Sequence, residues 1–127
     1  MNAVGITHPN LEGQETVIRQ AYQRCGQLDP RLTGYFECHG TGTEIGDPLE
    51  VHAVSKAMND KRLPADGPLL IGTVKTNIGH SEAASGLSAL IKAILTVENG
   101  IIPPTRGVIN KNTKSTLQNC LSIVKLG

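Results

Sequence analysis

Apolar residues near the start of the chain indicate a helix followed by a short strand. Asn10 is a candidate helix cap, and apolar side chains recur behind it at helical spacing until Gly26 ends the pattern. These apolar positions are Val17, Ile18, Ala21, Tyr22 and Cys25. Residues 32–38 are rich in β-branched and aromatic side chains, which predicts a strand that ends next to His39 and Gly40.

A glycine-rich loop over residues 40–46 separates this strand from a second predicted helix. Asp47 has the character of a helix N-cap, because Pro48 occupies the first helical position and Glu50 follows three residues after Asp47. This order is that of a capping box, in which the capping side chains bind backbone N–H groups of their own helix. We therefore predict a helix over residues 48–59.

The second half of the chain predicts a buried strand and a longer helix. Residues 69–74 are almost continuously apolar, as in a parallel strand that is covered on both faces. A turn over residues 75–80 leads to a third helix, for which Ser81 is a candidate cap and which Gly100 ends. Its apolar stripe consists of Leu87, Leu90, Ile91, Ile94 and Leu95. Residues 101–104 contain two prolines and predict only a short extended segment at an edge.

The order of these elements favours a layered α/β fold with parallel strands. Helix, strand, helix, strand and helix follow one another, which is the order of right-handed βαβ units. We assign residues 1–110 to one domain. Beyond Asn110 the sequence has no clear period, and residues 111–127 are predicted to form a divergent tail that is a candidate for disorder.

Composition and charge exclude several classes of protein. A chain of 127 residues is the size of one domain, and 12 Lys and Arg against 11 Asp and Glu indicate no surface for nucleic acid or an anionic membrane. The apolar stretches are too short for a membrane span, and no secretory signal opens the chain. Three cysteines without CxxC spacing argue against a disulfide framework and a zinc site. We therefore expect a cytoplasmic protein without a bound metal.

Two histidines lie where the chemistry of α/β folds usually collects, at the carboxyl ends of parallel strands. His39 follows the first predicted strand and His80 follows the turn after the second, so neighbouring strands would bring the two imidazoles together. The following helix and the nearby cation of Lys75 both disfavour a protonated His80. Two neutral imidazoles aimed at one point can donate two N–H groups to an oxyanion or enolate, and this predicts carbonyl chemistry.

Plainer interpretations of these residues stay open. A histidine at the end of a strand is often structural, and Lys75 fits a solvated loop equally well. Asp47 and Glu50 are explained by the capping box. His8 and His52 are interpreted as incidental, the latter because no second ligand lies one helical turn away.

Two further functional interpretations are weaker. Cys38 next to His39 resembles a Cys–His pair, but consecutive strand residues point to opposite faces, so Cys38 is predicted to be a small buried side chain. The glycine-rich loop 40–46 lies between a strand and a helix, as in a dinucleotide-binding turn. Its spacing differs from GxGxxG, and Asp47 would put a carboxylate where a pyrophosphate binds.

Longer motifs resemble one protein family along most of the chain. They are ECHGTGT at 37–43, GDPLE at 46–50, VKTNIGHSEAASG at 74–86, LIK at 90–92 and IPPT at 102–105. In this order they resemble the β-ketoacyl synthases, and most closely the ketosynthase domain of type I polyketide synthases of the fungal iterative kind. The likeness covers residues 5 to about 110.

The resemblance implies a thiolase-like α/β fold, of which this chain would hold the C-terminal half, and a decarboxylative Claisen condensation. In this family a cysteine carries the growing acyl chain. Two histidines bind the malonyl thioester of an acyl carrier protein, promote loss of carbon dioxide and stabilise the enolate. His39 and His80 match those histidines, and Lys75 matches the lysine that orients the second one. Thr41 and Thr43 would contact the phosphopantetheine arm.

The same resemblance implies supporting residues and partners. Asp47, Glu50 and Glu82 match polar residues that support the site. No cofactor would bind directly, because the phosphopantetheine arm arrives with the carrier protein as part of the substrate. The expected partners are the acyl carrier protein, malonyl and acyl thioesters, the missing N-terminal half of the ketosynthase and, in the intact family, a second subunit of a homodimer.

The chain also departs from the family pattern. The nucleophilic cysteine of the family lies in a motif well upstream, and none of Cys25, Cys38 and Cys120 has such surroundings. After Thr105 the tail loses the pattern. We therefore expect a C-terminal piece that is inactive in condensation by itself. The alternative is a non-catalytic remnant that binds a carrier protein or a synthase dimer. In the isolated chain the apolar stripe of the third helix would be exposed.

Overall fold

Three short strands and four helices make up the described part of the chain, with 3₁₀ turns between them. The computed structural model describes residues 10–105 and the backbone of residues 121–123. The helices are α1 (Leu11–Arg24), α2 (Gly46–Asn59), α3 (Lys75–Ile78) and α4 (Ser85–Asn99), and the strands are β1 (Tyr35–Glu37), β2 (Leu69–Gly72) and β3 (Leu121–Ile123). None of the helices in this part of the chain has the length and apolar character needed to cross a membrane.

The strands lie side by side in the order β1, β2, β3, and both pairs are parallel. Phe36 lies opposite Ile71 and Glu37 lies opposite Gly72. One more backbone hydrogen bond, from the N–H of Cys38 to the carbonyl oxygen of Gly72 (2.7 Å), extends the pairing. Because α2 lies between two parallel strands in the chain, the predicted βαβ unit is confirmed. Both strands therefore end at the same edge of the sheet.

Helix α2 packs against the sheet and against α1, which together enclose the core. The buried cluster consists of Cys38, Val54, Ala57, Met58, Leu69 and Ile71. Ile18 and Tyr22 of α1 pack against this cluster and are partly buried. Met58 and Leu69 are almost completely buried, and burial of such a side chain contributes about 1.5–3 kcal/mol. This packing holds α2 on the strand that leads to the site.

The helix ends agree with the sequence only in part. Asn10 caps α1 by accepting a hydrogen bond from an N–H of the first turn (3.1 Å), and Gly100 ends α4 in the left-handed conformation, with a φ of 64°. Both ends were predicted. Helix α2 begins at Gly46 and has no side-chain cap, so the predicted capping box of Asp47 and Glu50 is wrong. Their carboxylates bind N–H groups of the preceding loop instead.

The segment between β2 and α4 is more structured than predicted. The turn expected over residues 75–80 contains the short helix α3. Helix α4 begins at Ser85 rather than directly after Ser81, because a 3₁₀ turn at Glu82–Ala84 precedes it. Ser81 therefore does not cap α4, and its hydroxyl contacts that of Ser88 instead (3.1 Å).

The third strand is not where the sequence places it. Residues 101–104 were predicted as a short extended edge, but they form no strand. The strand that pairs with β2 is β3, which lies within the tail 111–127, where the sequence predicts no element. Strands pair through backbone groups, so a short strand can form without a visible side-chain pattern. The domain boundary at residue 110 stays a prediction.

The apolar stripe of α4 is exposed in the chain, as expected. Its five side chains are between 49% and 60% exposed: Leu87, Leu90, Ile91, Ile94 and Leu95. An exposed apolar stripe of this length is typical of a surface that another part of a protein covers.

Candidate functional site

Two histidines meet at the edge of the sheet where β1 and β2 end. His39 lies two residues beyond β1, and His80 lies two residues beyond α3 on the segment that leaves β2. The centroids of the two rings are 5.5 Å apart, and the ring planes are nearly perpendicular, at 87°. Both residues are exposed. The predicted convergence of the two imidazoles is therefore confirmed, and a small ligand can contact both rings.

The ring of His80 is held by the turn that follows it. Its Nδ1 accepts a hydrogen bond from the backbone N–H of Glu82 (2.9 Å) and lies 3.4 Å from the hydroxyl of Ser85. The hydroxyl of Ser85 also donates to the carbonyl oxygen of Glu82. Because Nδ1 is an acceptor, the N–H of the neutral ring is on Nε2. This is the donor that the sequence predicts for His80.

The backbone of this turn is held in an uncommon conformation. Glu82 has a φ of 46°, which lies in the left-handed region that non-glycine residues rarely adopt. The N–H of the same residue donates to the ring of His80. Glu82 thus acts through its main chain, and its side chain is exposed.

The backbone at His39 is held by a carboxylate of α2. Glu50 accepts two hydrogen bonds, from the N–H of His39 to Oε1 (2.6 Å) and from the N–H of Gly40 to Oε2 (2.9 Å). The hydroxyl of Thr73 donates to the carbonyl oxygen of His39 from the side of β2 (3.3 Å). The carboxylate of Glu50 therefore connects the end of β1 to α2, which differs from its role in the predicted capping box.

Asp47 holds the next part of the same loop. Its carboxylate accepts from the N–H groups of Gly42 and Thr43, each at 3.2 Å. The hydroxyl of Thr43 in turn accepts from the N–H of Gly46 (3.1 Å). These N–H groups would have to face a phosphate in a dinucleotide-binding turn. Since the carboxylate of Asp47 and the hydroxyl of Thr43 already accept from these groups, the geometry argues against that alternative.

The remaining predicted site residues lie on the two segments that carry the histidines, one after β1 and one after β2. Lys75 is buried at the start of α3, with 8% exposure, so its interpretation as a solvated loop lysine is wrong. Thr41 is partly buried and Thr43 is exposed, both within the loop that carries His39. The structure thus brings these residues near one edge of the sheet, and their functional roles stay predictions.

The cysteines behave as the sequence predicts where the structure describes them. Cys38 is 7% exposed, and burial, reinforced by the charge of Glu50, raises the pKa of its thiol far above the usual range. A thiol in this state is a poor nucleophile. Cys25 is exposed at the end of α1. Cys120 and His8 lie outside the described residues.

Sequence reasoning assigned no role to a buried ion pair beneath the site. Nζ of Lys92 on α4 lies 2.9 Å from Oε2 of Glu37 on β1, and the two side chains are only 9% and 10% exposed. The hydroxyl of Tyr35 contacts both, at 2.8 Å from the Lys92 ammonium group, and burial raises the pKa of this phenol. The sequence does contain a signal for this pair. Glu37 is a negative charge within the predicted first strand, and Lys92 is a positive charge within the mostly apolar third helix. No group of three or more metal-ligating side chains occurs within residues 10–105.

The chain is similar to known proteins along most of its length. Residues 1–108 match the family described as β-ketoacyl synthase, C-terminal domain. Reducing polyketide synthase DEP5 of Fusarium langsethiae is 75% identical over 111 residues, which is 87% of this chain and 5% of that protein. Prosolanapyrone synthase of Alternaria solani is 49% identical over 114 residues, which is 90% of this chain and 4% of that protein.

Solved structures show the same likeness. An oxazolomycin ketosynthase domain from Streptomyces albus has a TM-score of 0.87 and 34% identity over 95% of this chain and 21% of its own. The ketosynthase from module 6 of the bacillaene synthase of Bacillus subtilis 168 has a TM-score of 0.87 and 32% identity. This match covers 99% of the present chain and 23% of the ketosynthase chain. The predicted partial thiolase-like α/β fold is thereby confirmed. The chain spans about a twentieth of the curated relatives and about a fifth of the solved ketosynthase chains.

Proposed function

Because this chain belongs to the β-ketoacyl synthase family, as a C-terminal ketosynthase domain of the polyketide synthase type, we propose that it supplies the two-histidine site for decarboxylative Claisen condensation. The approach of His39 and His80 to 5.5 Å carries this proposal. Two imidazole N–H groups at this separation can both donate to one thioester oxygen. Losing one such donor typically costs about 3–4 kcal/mol of activation free energy.

In the proposed reaction the thioester oxygen of a malonyl group lies between the two rings. The bond between the α-carbon and the carboxylate breaks, carbon dioxide leaves, and the electron pair forms an enolate whose oxygen accepts from the histidines. The enolate carbon then attacks an acyl thioester on a cysteine, and the thiolate leaves. Cys38 is a poor candidate for this cysteine because its thiol is buried. We propose that the nucleophile belongs to another part of a longer ketosynthase.

The other site residues have supporting roles in this proposal. Thr41 and Thr43 contact the phosphopantetheine arm that delivers the malonyl group from an acyl carrier protein. Lys75 orients His80, while Asp47 and Glu50 keep the first loop in place through the hydrogen bonds described above. The main chain of Glu82 fixes the tautomer of His80.

A second candidate function is binding without chemistry, as a remnant that docks on a carrier protein or within a synthase dimer. The exposed apolar stripe of α4 favours it, because such a surface suits assembly with another protein part. Decarboxylation distinguishes the two functions, since a pure binding module has no such activity.

The proposed function can be tested by grafting residues 1–108 into the matching segment of the DEP5 relative, which is 75% identical. His80→Ala should slow malonyl decarboxylation by about a hundredfold or more. The matched control is His52→Ala, because His52 is an exposed histidine of α2. A rate that stays unchanged in His80→Ala would remove His80 from the mechanism.

The proposed absence of the nucleophile can be tested with the chain alone. Incubation with a radiolabelled acyl thioester should leave no stable label on the protein. A stable acyl adduct at Cys25, Cys38 or Cys120 would show that this chain carries its own nucleophile.

A further inference from the structure

The buried ion pair between Glu37 and Lys92 joins the end of β1 to α4, next to the segments that carry His39 and His80. Glu37 is the last residue of β1, two positions before His39. Its Oε2 binds the ammonium group of Lys92, whose Nζ also lies 5.3 Å from the centre of the Tyr35 ring. A charged pair at 9% and 10% exposure keeps little contact with water, so its geometry is narrowly defined.

The second oxygen of Glu37 reaches across to the other loop. Oε1 accepts a hydrogen bond from the N–H of Val74 (2.6 Å), the residue that precedes α3 and Lys75. The β1–β2 backbone pairing ends just before this point, with the hydrogen bond from the N–H of Cys38 to the carbonyl oxygen of Gly72. The carboxylate therefore continues the connection between the two strands where their backbones separate to form the site.

Lys92 connects the same carboxylate to the far end of that loop. Lys92 lies on α4, two turns after Ser85, and Ser85 begins the helix next to the ring of His80. The segment from Val74 to Ser85, which carries His80, is thus attached to Glu37 at both ends. One attachment is direct, and the other runs through Lys92 and the rigid helix.

We propose that Glu37 is a positioning residue that sets the separation of His39 and His80, with Lys92 as its partner. This inference rests on the proposed two-histidine reaction. Glu37 touches no reacting atom in it. It acts by holding the His80 segment, through Val74 and through α4, at a defined distance from the strand that ends in His39. Misplacement of a catalytic group by about 1 Å can slow a reaction about a hundredfold.

Two double variants of the grafted ketosynthase can distinguish two roles of Glu37. One role is to position the His80 segment, and the other is only to balance the charge of Lys92. Glu37→Gln with Lys92→Met removes both charges but leaves an amide oxygen that can accept from Val74. Glu37→Met with Lys92→Met removes both charges and this acceptor at similar volume. We expect malonyl decarboxylation to be at least about ten times slower in the second variant than in the first. The loss should fall on kcat rather than on KM for the malonyl thioester.

Acylation of the upstream cysteine serves as the internal measure of structure. It should stay within about twofold in both variants, because in the proposed reaction the two histidines act only on the malonyl thioester and its enolate. Glu15→Gln is the remote control, since Glu15 forms a partly exposed ion pair with Arg19 on α1 (2.9 Å), away from both histidines. Equal decarboxylation in the two double variants would overturn the inference. If acylation is lost together with decarboxylation, or if the variants misfold, the ion pair serves the stability of the fold, and the inference is overturned as well.

Failure of this inference can be told apart from failure of the proposed function. If His80→Ala slows decarboxylation while the two double variants behave alike, the two-histidine reaction stands and the role of Glu37 does not. If His80→Ala has no effect, the proposed function itself fails.

Discussion

Removing the carboxylate of Glu50 should release the backbone of the loop that carries His39. This carboxylate accepts from the N–H groups of His39 (2.6 Å) and Gly40 (2.9 Å), and Glu50 is only partly buried. A hydrogen bond to a charged group contributes about 1.5–3 kcal/mol, and partial exposure to water puts these two near the lower limit. Glu50→Ala should therefore cost the loop about 3 kcal/mol.

Amide hydrogen exchange measures this loss locally. At about 1.4 kcal/mol per factor of ten, 3 kcal/mol corresponds to roughly a hundredfold faster exchange at His39 and Gly40 in Glu50→Ala. Glu50→Gln keeps one acceptor oxygen, so we expect an intermediate acceleration of about tenfold. Mass spectrometry with fragmentation to single amides, applied to the grafted ketosynthase, can resolve both positions.

The control for this experiment is Glu12→Ala, which removes an exposed carboxylate from the first turn of α1. It should leave exchange at both amides unchanged. Exchange in Glu50→Ala that matches the unsubstituted protein at both amides would contradict this role of the carboxylate. In that case the loop would be held by its packing and not by this carboxylate.

Three further predictions concern stability and assembly. Burial raises the pKa of Cys38, so above about pH 8.5 the unfolded chain binds fewer protons than the folded one, and stability should fall by up to about 1.4 kcal/mol per pH unit. Cys38→Ala should remove this part of the alkaline fall in melting temperature, and identical pH profiles would contradict it. Gly40 and Gly42 have φ values of 49° and 83°, but only at Gly40 would a Cβ lie 2.6 Å from a side chain, that of Thr73. Thermal melts should therefore show Gly40→Ala less stable than Gly42→Ala by about 1–3 kcal/mol, and equal losses would contradict the clash. The isolated chain should self-associate through α4, which sedimentation velocity can measure. Leu90 and Ile94 are 56% and 54% exposed, so the double variant Leu90→Lys with Ile94→Lys should reduce this self-association. A monodisperse parent chain would contradict the role of that surface.

Local patterns in the sequence predict the elements whose causes are local. The cap at Asn10, the end of α4 at Gly100 and the apolar run of β2 each depend on residues a few positions apart. The same holds for the two histidines, since parallel strands place their carboxyl ends at one edge wherever the strands are adjacent. Fold class and the candidate site therefore follow from sequence alone.

The order of Asp47 and Glu50 shows where local reasoning fails. Their spacing is that of a capping box, yet both carboxylates bind the loop before the helix. The capping-box spacing predicts only that side-chain acceptors lie near several backbone N–H groups at the start of the helix. Which of these groups it binds depends on how the loop leaves β1, and that is set by the packing of β1 beside β2.

The α/β class, the family and the two histidines that meet at the site can all be predicted from the order of amino acids. The burial of Lys75, the pairing of β3 with β2 and the ion pair between Glu37 and Lys92 become visible only in the folded chain. The difference follows from how far apart along the chain the interacting residues lie. Helix and strand patterns arise from neighbours along the chain, whereas burial, strand pairing and the partner of a charge depend on residues that approach only when the sheet and helices pack together.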